Sequence, residues 1–159
     1  VPLERKSILD VGCGLGALYT FLKQQQVSIH YSGIDISQEL LTFAKNQHPE
    51  VKWYYGDIFS SSFMFRSGSF DVLYSSGLLN LRCRNNMYYL EALLSHMIFY
   101  SKKYVVFNVL SDKALNKESD IYHYYNEEEI ILLLQKKDLY FSIDSSYLQN
   151  DMTVCIELQ

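Results

Sequence analysis

Proline and glycine are scarce, at two and seven of 159 residues, and the chain carries no excess of basic charge, with 14 basic against 18 acidic residues. That scarcity excludes a collagenous or low-complexity chain, and an apolar share of 48% excludes a disordered one. No apolar run approaches the ~18 residues a membrane span needs, so no membrane association is expected. The three cysteines, Cys13, Cys83 and Cys155, are odd in number and lack metal-ligand spacing. Neither a disulfide framework nor a metal site is expected, and a reduced, cytoplasmic setting is the economical reading. Basic residues pair at Lys102-Lys103, Lys136-Lys137 and Arg82/Arg84, with no larger cluster. Nucleic-acid modules carry a basic face, so a nucleic-acid partner is not expected. The chain opens at Val1 rather than methionine, leaving room for natural residues ahead of it. Nothing in the sequence sets the oligomeric state.

Domains typically run about 100–200 residues, so residues 1–159 are expected to form a single unit. Short apolar runs alternate with amphipathic stretches. Ser7 to Val11 reads as a buried strand, and Leu15 to Gln26 as a helix with Leu15, Leu18 and Leu22 on one face. Ile29 to Ile34 is strand-like, and Ser37 is a natural N-cap for a helix that His48-Pro49 ends. Val51 to Tyr55 and Phe70 to Tyr74 are further strands, joined by a polar and aromatic connection, Ser60 to Ser69, with room for a short helix. Asn85 or Asn86 caps a helix whose apolar positions run from Met87 to Met97. Tyr104 to Val109 is a fifth strand, and Asn126 with Glu129 opens a helix through Lys137. Two last strands, Tyr140 to Tyr147 and Met152 to Leu158, have no room for a helix between them. The expectation is an α/β, doubly wound, mostly parallel seven-stranded sheet with helices on both faces and a C-terminal antiparallel hairpin.

The most informative stretch is Asp10-Val11-Gly12-Cys13-Gly14-Leu15-Gly16, where the first strand turns into the first helix. Glycines there let the backbone turn sharply and approach a ligand, and free amides at a helix start point the same way. Gly12, Gly14 and Ala17 also satisfy a dinucleotide-binding pattern. Asp35, at the tip of the second strand, suits a ribose diol, or else a charge at the start of the following helix. Asp57 is a third acid at a strand end, or else an ordinary turn residue.

Taken together, these segments resemble the class I S-adenosylmethionine-dependent methyltransferases from Ile8 to Leu158. Ile8 to Gly16 is similar to the first motif of that family, Gly33-Ile34-Asp35 to the second, Gly56-Asp57-Ile58 to the third and Ser69 to Ser76 to the fourth. The resemblance implies a Rossmann-like fold with S-adenosylmethionine as methyl donor and S-adenosylhomocysteine as product. It places Asp10 and the Gly12-Cys13-Gly14 and Gly16 backbone at the methionine moiety. It places Asp35 on the ribose, Ile36 on the adenine face, Asp57 at the adenine amine, Ile58 beside the ring, and the Ser75 carbonyl towards the ammonium.

Methyl transfer from a sulfonium needs mainly alignment, with a base only for a protonated acceptor. No catalytic residue is therefore assigned, and the expected acceptor is a small or medium-sized molecule. Candidate acceptor contacts are Asn80 and Arg82 after the fourth strand, and His123 and Tyr124 in the segment Asp120 to Tyr125. That segment is expected to close over the acceptor, with His123 as a candidate base and its tyrosines as an aromatic wall. Two alternatives stand beside an enzyme: a non-catalytic binding or scaffold module of the same fold, and a nicotinamide-dependent oxidoreductase.

Overall fold

The computed structural model describes residues 1–60 and 65–159. Five strands run parallel in the order expected from the alternation: β1 Ser7–Val11, β2 His30–Asp35, β3 Lys52–Tyr55, β4 Phe70–Ser75 and β5 Ser101–Leu110. The last two strands, β6 Tyr140–Asp144 and β7 Asp151–Glu157, pair antiparallel. Sheet order is β3-β2-β1-β4-β5-β7-β6, so β7 inserts between β5 and β6 and leaves β6 at the edge. Residues 61–64 of the Ser60 to Ser69 connection, for which a short helix is expected, lie outside the described residues.

The helices are α1 Ala17–Gln24, α2 Gln38–Gln47, α3 Asn86–Tyr100 and α4 Glu127–Lys136. Their starts follow local chemistry. Ser37 Oγ accepts from the Leu40 amide at 3.3 Å, Asn85 Oδ1 from Tyr88 at 3.0 Å, and Asn126 Oδ1 from Glu128 at 2.9 Å. Asn85, not Asn86, is the α3 cap. The side chain of Asn86 is buried and bonds Cys83 and Leu81 instead. Helix α1 is shorter than its apolar pattern suggests. Leu15 lies in the turn ahead of it, half exposed, so only Leu18 and Leu22 pack inward.

Alternation along the strands splits the core in two. Ile8 of β1 joins Tyr31, Val72, Tyr104 and Leu22 of α1 on one face. Leu9 and Val11 join Leu73, Val105 and Phe107 on the other, under Leu93 and Met97 of α3 and Ile130 and Leu134 of α4. Among the described residues no helix is long and apolar enough to cross a membrane.

Candidate active site

Parallel strands place their carboxyl ends together, and there a cleft of about 200 Å³ opens. Val11 and Gly12 of the β1 turn, Ile34 and Asp35 of β2 with Ile36 just after it, and Gly56, Asp57, Ile58 and Phe59 after β3 line it, with Leu78 and Tyr89 on the far wall. Three glycines of the β1 turn adopt left-handed backbone, with φ of 73° at Gly12, 52° at Gly14 and 80° at Gly16. They are not equivalent. A Cβ on Gly14 would meet nothing within 4 Å, so the backbone there faces open space. A Cβ on Gly16 would sit 2.6 Å from the Trp53 ring, and one on Gly33 2.6 Å from the same ring and 2.7 Å from Cys13 Sγ. Gly16 is thus required by packing against Trp53.

Asp35 Oδ2 accepts from the Gly14 amide at 2.8 Å, and Oδ1 from Ser37 at 2.8 Å. Each oxygen keeps a second lone pair, so the carboxylate that fixes the turn can still receive a diol. Asp57 Oδ1 accepts from Phe59 at 2.9 Å, which folds the post-β3 turn and leaves this exposed acid at the cleft. Ile36, 69% exposed, offers an apolar platform beside Asp35.

Asp10 is buried one step behind the turn, and the Tyr31 hydroxyl donates to its Oδ2 at 2.5 Å. Burial pushes its carboxyl up to about 7, against the Tyr31 bond, with Asp35 adding repulsion. Cys13 is also buried, and burial together with Asp10 and Asp35 raises its thiol far above the ordinary range, which makes it an inert packing group. Ser75 is buried, and its hydroxyl donates to the Val11 carbonyl at 3.0 Å, clamping β4 to β1.

The methyltransferase-domain family matches residues 8–97, more than half of the chain. The chain belongs to the S-adenosylmethionine-dependent methyltransferases. Solved structures agree on the fold. The magnesium protoporphyrin IX methyltransferase of Synechocystis PCC 6803 with bound S-adenosylmethionine superposes with a TM-score of 0.73 at 15% identity, covering 98% of this chain and 71% of that one. A SAM-dependent methyltransferase from Aquifex aeolicus gives 0.75 at 14%, covering 100% and 85%. A putative methyltransferase in complex with the Trm112 activator of Haloferax volcanii gives 0.73 at 14%, covering 98% and 84%. No curated protein sequence matches. The terminal β6-β7 pairing is the feature of the methyltransferase that departs from a wholly parallel dinucleotide-binding sheet.

The methyltransferase brings Gly12, Asp35, Ile36, Asp57 and Ile58 together on the cleft, while Asp10, Cys13, Gly14, Gly16 and Ser75 support or flank it. The residues expected to contact an acceptor behave differently. Asn80 Oδ1 accepts from Leu110 at 3.2 Å and its carbonyl from the His123 amide at 2.9 Å, while the Arg82 amide donates to Ile121 at 2.8 Å. The post-β4 and post-β5 segments are therefore knitted together. Tyr125, expected in the aromatic wall, is fully buried and donates to the Leu79 carbonyl at 3.1 Å. It belongs to the core because β-bridging of Ser111 to Tyr125 draws the segment under the sheet end. The Tyr124 hydroxyl accepts from Glu118 at 3.0 Å within its own loop. His123 is half-buried, 4.5 Å edge-on from Tyr125, and burial with nearby Arg82 lowers its imidazole, which favours the neutral ring. Arg82 is exposed. Sequence reading missed Tyr31, Trp53, Phe59, Leu78 and Tyr89. All are ordinary apolar or aromatic positions by local pattern: strand register places Tyr31 and Trp53, the connections after β3 and β4 place Phe59 and Leu78, and α3 places Tyr89.

Proposed function

We propose that this methyltransferase transfers the methyl group of S-adenosylmethionine to a small or medium-sized acceptor bound beyond the ends of β4 and β5. The observation that carries this reading is the cleft itself: an open glycine turn, a carboxylate with spare lone pairs and an exposed apolar platform on consecutive strand ends. Asp35 would accept the ribose hydroxyls, Ile36 and Ile58 would flank the adenine, and Asp57 would accept from its amine. Gly12 and Gly14 would lie along the methionine moiety, and Asp10 would face its positive charge from behind the turn. The donor supplies an activated methyl on a cationic sulfur. The protein's own task is alignment and exclusion of water, effects worth up to roughly 7–11 kcal/mol.

Calorimetric titration and thermal unfolding test the reading. S-adenosylhomocysteine at a hundredfold excess over its Kd should add about 2.7 kcal/mol. That corresponds to a rise in Tm of roughly 5–10 °C at this chain length. NAD should produce no shift. A protein that responds to NAD and not to S-adenosylhomocysteine would refute the proposal.

A further inference from the structure

The first residue of β7, Asp151, pairs with Leu110 at the end of β5. It stands at the carboxyl end of the sheet, the edge that also carries the glycine turn and the post-β4 segment. Asn108 Nδ2 donates to Asp151 Oδ2 at 2.9 Å, while Asn108 Oδ1 accepts from the Gly77 amide at 3.0 Å. One carboxamide thus ties the carboxylate to the residue following Ser75-Ser76. Asp151 Oδ1 is buried without a hydrogen-bond partner. The Tyr147 hydroxyl and the Met152 amide stand near enough to favour the charged form, and the Tyr147 hydroxyl also shares a hydrogen bond with Thr153 Oγ1 at 2.7 Å. No lysine or arginine forms an ion pair with Asp151 among the described residues.

A buried carboxylate oxygen lacking a donor is costly, and native proteins keep few such groups without a role. Burial also raises the Asp151 carboxyl, which suits a group that takes up a proton. The Tyr74 phenol senses both Asp10 and Asp151, so the two acids share one electrostatic neighbourhood across β4.

We propose that Asp151 is the acceptor-side carboxylate, receiving an N–H or O–H of the methyl acceptor on Oδ1, with Asn108 as its positioning residue. The acceptor is then an amine or hydroxyl compound, cationic or neutral, and not an anion. Asp151 Oδ1 takes a proton from the acceptor heteroatom, before attack where that atom is an ammonium; the heteroatom's lone pair forms the bond to the methyl carbon, and the carbon–sulfur pair returns to sulfur. An acceptor reaches Oδ1 by displacing Tyr147, which lies on the exposed connection 145–150.

The inference rests on the methyltransferase reading, and two probes separate the two. S-adenosylhomocysteine tests the cofactor cleft alone. Sinefungin, in which an amine-bearing carbon replaces the sulfur, adds a cationic donor on the acceptor side. Wild-type protein should bind sinefungin at least tenfold more tightly than S-adenosylhomocysteine. Asp151→Asn keeps an oxygen for Asn108, so it should bind S-adenosylhomocysteine within threefold of wild type while losing most of the sinefungin preference. A preference retained in Asp151→Asn overturns the assignment, and so does the absence of preference in the wild type, whether or not the variant folds. Failure of the wild type to bind either probe overturns the methyltransferase reading instead.

Discussion

The tips of β1, β2 and β3 and the segments beyond β4 and β5 solve opposite problems at one end of the same sheet. On the first side the polar groups keep spare capacity: Asp35 holds two amides and can accept more, and Gly14 faces open space. On the second side they are tied to one another, through Asn80 with Leu110 and His123, Arg82 with Ile121 and Tyr125 with Leu79. On the proposed function, the contrast separates a recognition surface from a shelf. An adenosine moiety needs donors and acceptors left free. An aligned acceptor needs a backbone that does not move, and that requires the local polar groups to be used up internally.

If the acceptor side is a shelf, breaking it should cost the most. Tyr125→Ala removes a fully buried ring and its bond to Leu79, and should destabilise by about 3–5 kcal/mol in a denaturant titration. A loss below 1 kcal/mol would return Tyr125 to the status of a mobile wall. The next effect concerns pH on the cofactor side. Asp10 is held at about 7 against an ordinary 3.8, so the folded state binds its proton more tightly than the unfolded chain. Unliganded stability should therefore fall as pH rises through that window, by up to about 1.4 kcal/mol per pH unit from this group. Asp10→Asn should flatten that part of the profile, and an unchanged slope would show that Asp10 is charged throughout.

Two glycines of one turn sharpen the comparison further. Gly16→Ala meets Trp53 at 2.6 Å in addition to its left-handed backbone, and should lose about 2–3 kcal/mol of stability. Gly14→Ala carries only the backbone cost, about 1–2 kcal/mol, with its larger effect on S-adenosylhomocysteine affinity. Equal stability losses would mean that Trp53 simply moves aside. Asp35→Ala should weaken S-adenosylhomocysteine at least tenfold by calorimetry, through loss of charge-assisted bonds of about 1.5–3 kcal/mol each. The smallest effect belongs to the exposed Arg82. Arg82→Ala should change stability by less than about 0.5 kcal/mol, and S-adenosylhomocysteine affinity by less than twofold. A larger drop in affinity would extend the cofactor site onto the shelf.

Much of the first region is legible in the sequence. Glycines that need left-handed backbone, an acid at a strand tip and a serine cap all act within a few residues of themselves, so their pattern reports their structure. Ranges erred only at the ends, as where β5 begins at Ser101 directly from α3 and not at Tyr104. In the second region the sequence misplaced Tyr125, whose partner is distant in the chain. Asp120 to Tyr125 looks like an aromatic cover because it is rich in tyrosine and aperiodic, and nothing local says that Tyr125 will reach the Leu79 carbonyl.

The sequence by itself determined the alternation of strands and helices, the caps, the ligand-ready turn and the closing antiparallel pair, because each follows from periodicity or turn chemistry over neighbouring positions. Tertiary structure alone decided that β7 would insert beside β5, that Trp53 would fill the space Gly16 and Gly33 leave, that Tyr31 would reach Asp10, and that Asp151 would stand next to Gly77 through Asn108. Those choices depend on strand order and register across the whole sheet. A one-residue slip would turn each of these side chains to the opposite face, and no short stretch of sequence contains that information.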